Sequence, residues 1–323
     1  MKRIVFIALI VVLSLSGCSS TSGSEENTSD HSGNSQEQLK DPTTLTEQSI
    51  DISNLKEYEP GDIRYPGMSG KYFDLALERD SKAVVIPEYS THFVYWLPPG
   101  WENLEEKRIL FLFHGHDGTA APRLNDLYDN ALAYQIGVVS IQWGWRPEKG
   151  EDYRYLDETV EGMHVAYHIV EIALDYIEAH HGVDKNLSAW NGFSRSSGHS
   201  IVYAYLDTES GNGFFQLYMG IAGGFNIRTP FIEQLVNGEY GEKPVEGKNF
   251  YLWCGTSDEA TDERVIEGYP NSVCERQQLS RDILLERGGT VMKLRATPDA
   301  GHMTWNSKPK LQTEALELWL NIK

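Results

Sequence analysis

The 323-residue sequence predicts an α/β fold: a mostly parallel, eight-stranded sheet with helices on both faces and a small cap or none. Two observations carry that expectation. Apolar strand-like runs alternate with helical patterns from about residue 108 to the C-terminus, the order that builds a parallel sheet. Residues 108–113 (Arg-Ile-Leu-Phe-Leu-Phe) form a nearly continuous apolar run, as a strand covered on both faces requires.

Residues 72–77 and 92–97 read as two opening antiparallel strands, the second closed by Pro98-Pro99-Gly100. After the buried strand, Leu124, Leu127, Tyr128, Ala131 and Leu132 recur at the spacing of one helix face. Residues 137–141 read as a strand and 159–179 as a long helix bearing Val165, Ile169, Ile172, Ala173 and Ile177. A strand at 187–193 leads into a helix after Ser194, and strands follow at 216–221 and 249–254. A helix near 274–287, a strand at 291–296 and a helix at 311–322 end the chain. Residues 225–248, rich in Gly, Asn and Glu, suit a small cap.

The formal charge of −19 argues against a nucleic-acid partner, because a polyanion gains nothing on a phosphate backbone. A solvated acidic surface is the plain reading of that charge. Three segments are expected: an export signal at 1–17, a disordered tether at 18–60 and the folded domain at 61–323. The first has Met1-Lys2-Arg3 and then an apolar stretch at 4–13, too short to span a bilayer and flanked like an export signal. Leu15-Ser16-Gly17-Cys18 resembles the lipobox of bacterial lipoproteins, which implies a lipid-bearing Cys18 and a membrane-anchored protein of the cell envelope. Residues 19–47 are almost wholly polar and read as disordered, within a tether of about forty flexible residues with a reach of about 35 Å. Cys254 and Cys274 remain; in an exported protein they either pair or stay reduced, and spacing does not choose.

The chemistry-bearing residues cluster where strands end. Ser194 follows the strand at 187–193 and precedes a helix, in Gly192-Phe193-Ser194-Arg195-Ser196. Such a turn lifts one hydroxyl out of the backbone at the positive end of a helix. Ser196 stands where a second glycine is commoner. His114-Gly115-His116-Asp117-Gly118 directly follows the buried strand, and its glycines allow backbone amides to face a developing oxyanion. The donors expected are the amides of His116 and Arg195, with Asp117 an alternative to the first. A metal-ligand reading of His114, His116 and Asp117 is disfavoured because Gly118 stands where a further histidine is usual.

His302, on the loop before the last helix, is the expected general base. Asp258, past the strand at 249–254, is the expected partner of its imidazole, with Glu259 and Asp262 as alternatives. The chain order is Ser194, Asp258, His302. On these residues, 70–323 resembles the α/β-hydrolase serine esterases, and within them the feruloyl-esterase and polyhydroxyalkanoate-depolymerase-like group, whose ending Gly301-His302-x-x-Trp305 is similar to.

The resemblance implies ester hydrolysis through an acyl-enzyme, with no cofactor and no metal. Its substrate is expected to be a small-molecule or polysaccharide-linked ester. Trp143, Trp145 and Trp305, with Tyr153 and Tyr155, either stack on that substrate or pack the loop. Arg146 or Arg195 either binds a carboxylate or serves an ion pair. A serine peptidase of the same fold and a silent tethered binding protein are the competing classes.

Overall fold

The computed structural model describes residues 47–116, 118–145, 154–259 and 270–322. All lie within the unit Leu39–Lys323. Its strands and helices run β1 (Lys56–Glu57), α1 (Lys71–Glu78), β2 (Lys82–Ile86), β3 (Thr91–Trp96), β4 (Ile109–Phe113), α2 (Ala120–Tyr134), β5 (Gly137–Ile141), β6 (Gly144–Trp145) and β7 (Arg154–Tyr155). They continue with α3 (Val160–His181), β8 (Ser188–Phe193), α4 (Ser200–Glu209), β9 (Phe215–Ile221), α5 (Pro230–Asn237), β10 (Asn249–Gly255), α6 (Val273–Glu286), β11 (Thr290–Thr297), α7 (Thr304–Ser307) and α8 (Pro309–Leu320).

The main sheet has the order β1-β2-β3-β5-β4-β8-β9-β10-β11. From β5 to β11 every pairing is parallel, and β1, β2 and β3 join antiparallel. Strand alternation sorts the core. Ile109, Phe111 and Phe113 of β4 face the layer that holds α3 and α4, while Leu110 and Leu112 face the layer of α1, α2 and α8. With both faces covered, all five β4 side chains are buried, each contributing roughly 1.5–3 kcal/mol of transfer free energy.

Three sequence expectations need correction. The sheet has nine strands rather than eight, because β2 and the two-residue β1 add to it. Residues 72–77 are helical: Phe73 and Ala76 are buried one turn apart on α1, whose Leu, Ala and Glu residues favour helix. The folded body also reaches back into the segment assigned to the tether. Leu55 and Tyr58 are buried, and the Tyr58 amide donates to Ala83 O at 2.7 Å. Residues 225–248 supply α5, which buries Phe231, Ile232 and Leu235 in the core layer of α3 and α4. Among the described residues no helix is long and apolar enough to cross a membrane.

Candidate active site

β8 delivers Ser194 at the carboxyl edge of the sheet. Its φ of 56° is left-handed, a conformation costly for a residue with a Cβ and common where a turn must aim one side chain. Gly192 is required beside it. A Cβ there would lie 2.2 Å from the Trp190 ring and 2.4 Å from Ser196 O. Ser196, in the position where a glycine is commoner, turns inward. Its hydroxyl accepts from the Phe193 amide at 2.8 Å and donates toward Phe113 O at 2.9 Å, joining the ends of β8 and β4. A buried serine thus serves as a hydrogen-bonded brace under the turn.

The structure brings Ser194, Asp258 and His302 together. His302 Nε2 lies 2.9 Å from Ser194 Oγ, and His302 Nδ1 lies 2.9 Å from Asp258 Oδ2. A carboxylate at 258 accepts the Nδ1 proton, which leaves Nε2 free to accept from the serine hydroxyl. The side chain of Asp258 is 5 % exposed and that of His302 40 %, so the hydrogen-bonded series runs from a covered carboxylate to an imidazole that reaches solvent. Backbone bonds stitch the two loops. Thr256 N donates to Thr297 O, Ser257 N to Ala300 O, and Asp299 N to Thr256 Oγ1, each at 3.0 Å. Phe193 lies against His302, ring centroids 5.0 Å apart.

Cys254 and Cys274 are joined by a disulfide across the loop that carries Asp258. Glu259 is exposed and bridges to Ser272, whereas the buried Asp258 meets His302.

The loop after β4 packs directly on the serine. A Cβ at Gly115 would stand 2.8 Å from Ser194 Cβ. His114 is buried and neutral at neutral pH, since burial pushes its imidazole down to about 4. Its Nδ1 donates to Gly115 O at 2.9 Å, and its Nε2 meets Gln142 Nε2 at 3.3 Å. Both ring nitrogens are therefore engaged by protein. Trp143 stacks on this ring and donates from Nε1 to His114 O at 3.0 Å.

Trp143 and Trp305 are not the open stacking surfaces that one sequence reading allowed. Each is 1 % exposed. Trp143 is held by His114 and Tyr155, and Trp305 lies beside the buried Arg123 guanidinium. Arg146, Tyr153, Asp117, Asp262, Cys18 and the Trp145 side chain lie outside the described residues.

Arg195 likewise serves the protein. Its Nε and Nη2 donate to Asp157 at 2.9 and 2.7 Å. Asp157 also meets His199 Nε2 at 2.9 Å. Burial would raise the Asp157 pKa, but the hydrogen bonds and charges of His199 and Arg195 prevail and hold it below the usual carboxylate range. Sequence reasoning missed Asp157. Nothing local distinguishes an aspartate before a helix from a cap, and its partners lie 38 and 42 residues away.

No family model matches the chain, and no curated protein matches it significantly. Solved structures do. A poly(3-hydroxybutyrate) depolymerase from Bordetella parapertussis superposes with a TM-score of 0.54 at 14% identity, covering 76% of this chain and 93% of that one. A fungal esterase from Rhizomucor miehei gives 0.53 at 13% identity, covering 74% and 81%. An S-formylglutathione hydrolase from Agrobacterium tumefaciens gives 0.52 at 13% identity, covering 72% and 90%. At these identities the likeness speaks for architecture: the chain has the α/β-hydrolase fold.

Proposed function

We propose that this chain is a serine hydrolase that cleaves carboxylic esters through an acyl-enzyme. The observation that carries the reading is the continuous relay from Asp258 through His302 to Ser194, with both links at 2.9 Å. Ser194 Oγ attacks the ester carbonyl carbon as its proton passes to His302 Nε2. Asp258 holds the imidazole in the tautomer that can accept and stabilises the imidazolium. Amides of His116 and Arg195 meet the oxyanion. Collapse of the tetrahedral species breaks the bond to the alcohol oxygen, which takes the proton from His302. Water activated by the same imidazole then releases the acid.

The fold adds support of a general kind, since a depolymerase, an esterase and an S-formylglutathione hydrolase are built on it. Within ester hydrolysis, carbohydrate-linked acetyl and feruloyl esters are the substrates we propose. Export and anchoring through Cys18 complete the reading and rest on residues 1–18 of the sequence.

A fluorophosphonate probe tests the nucleophile. Wild type is expected to label and Ser194→Ala not to; an unlabelled wild type, or a labelled variant, would remove the assignment. Hydrolysis of 4-nitrophenyl acetate without cleavage of aminoacyl anilides separates esterase from peptidase. A panel with acetylated xylan and methyl ferulate then tests the substrate. Globomycin-sensitive processing and incorporation of labelled palmitate at Cys18 test the anchor.

A further inference from the structure

Both residues expected to supply oxyanion donors rest their side chains on one buried ring. The Arg195 guanidinium carbon stands 3.9 Å from the Tyr155 ring centroid. The His116 imidazole stacks on the same tyrosine, centroids 5.5 Å apart and planes inclined by 29°. His116 lies on the loop after β4, and Arg195 in the short 3-10 helix Ser194–His199 that follows β8. Besides the close approach of Gly115 to Ser194, Tyr155 is a shared contact of the two.

The ring itself is firmly seated. Tyr155 ends β7 and pairs with Gly144 of β6. A Cβ at Gly144 would fall 2.2 Å from Tyr155 Cδ1, so only glycine lets the ribbon close on the ring. Trp143 packs on it with centroids 5.0 Å apart. Two residues on, Asp157 grips the Arg195 guanidinium through two hydrogen bonds and is itself held by His199. Residues 155–157 therefore hold Arg195 by ring and by carboxylate, and hold His116 by the same ring.

We infer that Tyr155 is a positioning residue of the oxyanion hole, fixing the 116 and 195 backbones relative to each other through its stacked contacts. The inference rests on the esterase reading above. An oxyanion hole acts only if its donors are placed before charge develops, and a donor displaced by a fraction of an ångström loses much of its effect. Two donors on separate segments need a common reference, and the Tyr155 ring supplies one. The phenol takes no part in bond making or breaking.

The test compares 4-nitrophenyl acetate with its thionoester analogue, in which sulfur replaces the carbonyl oxygen. A hole shaped for oxygen favours the oxoester, and a loosened hole loses that preference, whereas partial unfolding slows both substrates equally. Tyr155→Leu is expected to lower the oxo-to-thiono ratio of kcat/KM by about tenfold or more, chiefly through kcat. Tyr155→Phe, which keeps the ring, is expected to restore most of it. His116→Ala, which takes the second side chain off the ring and keeps the 116 amide, is expected to lower the ratio as well, and it decides the matter if Tyr155→Leu does not fold. An unchanged ratio in the folded variants overturns the inference while leaving the esterase reading intact. A wild type that neither hydrolyses the ester nor labels with the fluorophosphonate overturns both.

Discussion

Arg123 Nη2 donates to Asn191 Oδ1 at 2.7 Å, tying α2 to β8 three residues before Ser194. Nη1 of the same guanidinium donates to Asn306 Oδ1 at 2.7 Å, in α7 just beyond His302. The cation also packs beside Phe193 and Trp305, the neighbours of the serine and the histidine. It is buried, and its one carboxylate partner among the described residues is Asp126 at 3.2 Å. Burial pulls its pKa down and Asp126 pulls it up.

Removal of that side chain strands two buried amide oxygens. Arg123→Met is expected to destabilise the protein by about 3 kcal/mol, read as a shift of the urea midpoint without a change of slope. Arg123→Lys recovers part of the loss because a single ammonium cannot reach both asparagines in the planar fork geometry. A wild-type midpoint in Arg123→Met would show that the bridge contributes nothing.

Ser194, the proposed nucleophile, has a strained backbone, and the strain has a measurable signature. Alanine keeps the Cβ that makes φ of 56° costly, whereas glycine does not. Ser194→Gly is expected to equal or exceed Ser194→Ala in stability, by up to about 1 kcal/mol, although glycine elsewhere lowers stability. Both variants are expected to lose the proposed hydrolysis. Urea denaturation of the pair checks this, and a clearly less stable glycine variant contradicts the strain.

The serine turn was legible because its signal is local. A buried strand, Gly192 and Ser194 are contiguous, and each is demanded by sterics within a few residues. Asp258 and His302 were legible by a weaker route, as an acid and an imidazole placed just beyond strand ends. The Tyr155–Asp157 clamp and the Arg123 bridge were not. Their meaning arises from contacts 38 to 183 residues apart, which no window on the sequence contains. The tryptophans went astray for a related reason. Their number near the site shows in the sequence, but whether a ring faces solvent depends on partners such as His114 and Arg123 that arrive from other strands and helices. Helix α1 was misread because Phe73, Leu75 and Leu77 alternate, although Phe73 and Ala76 are the residues that face inward.

The Cys254–Cys274 disulfide has consequences for chemistry as well as for stability. It spans a sequence separation of 20 residues, and Asp258 lies within the closed loop. Loop-closure entropy assigns it about 3 kcal/mol. The double variant Cys254→Ala/Cys274→Ala is expected to lose stability of that order and, on the proposed function, to lower kcat with little change in KM, because the freed loop holds Asp258, the hydrogen-bond partner of His302. The check is to compare it with an equally destabilising change remote from the site. If kcat falls no further than in that control, the bond steadies the fold without steadying the acid.

Acid sensitivity follows from two buried imidazoles. Burial depresses His114 to about 4 and His92 to about 3, the nearby His114 adding to the effect on His92. An unfolded histidine titrates near 6.5, so below that pH the unfolded chain binds protons that the folded chain refuses. The stabilisation from each neutral imidazole is therefore complete above pH 6.5 and is lost progressively as the pH falls, until the folded pKa is reached. Between pH 6.5 and 5 each contributes a loss of about 2 kcal/mol. His92 isolates the effect, because its ring nitrogens are buried with no hydrogen-bond partner among the described residues. Removing an orphaned polar ring costs little, so His92→Leu is expected to lie within about 1 kcal/mol of wild type at pH 7. It is also expected to lose less stability than wild type on acidification, which narrows or reverses the difference at pH 5. Urea curves at the two pH values measure this directly, and parallel losses in wild type and variant would mean that His92 is not kept neutral by the fold.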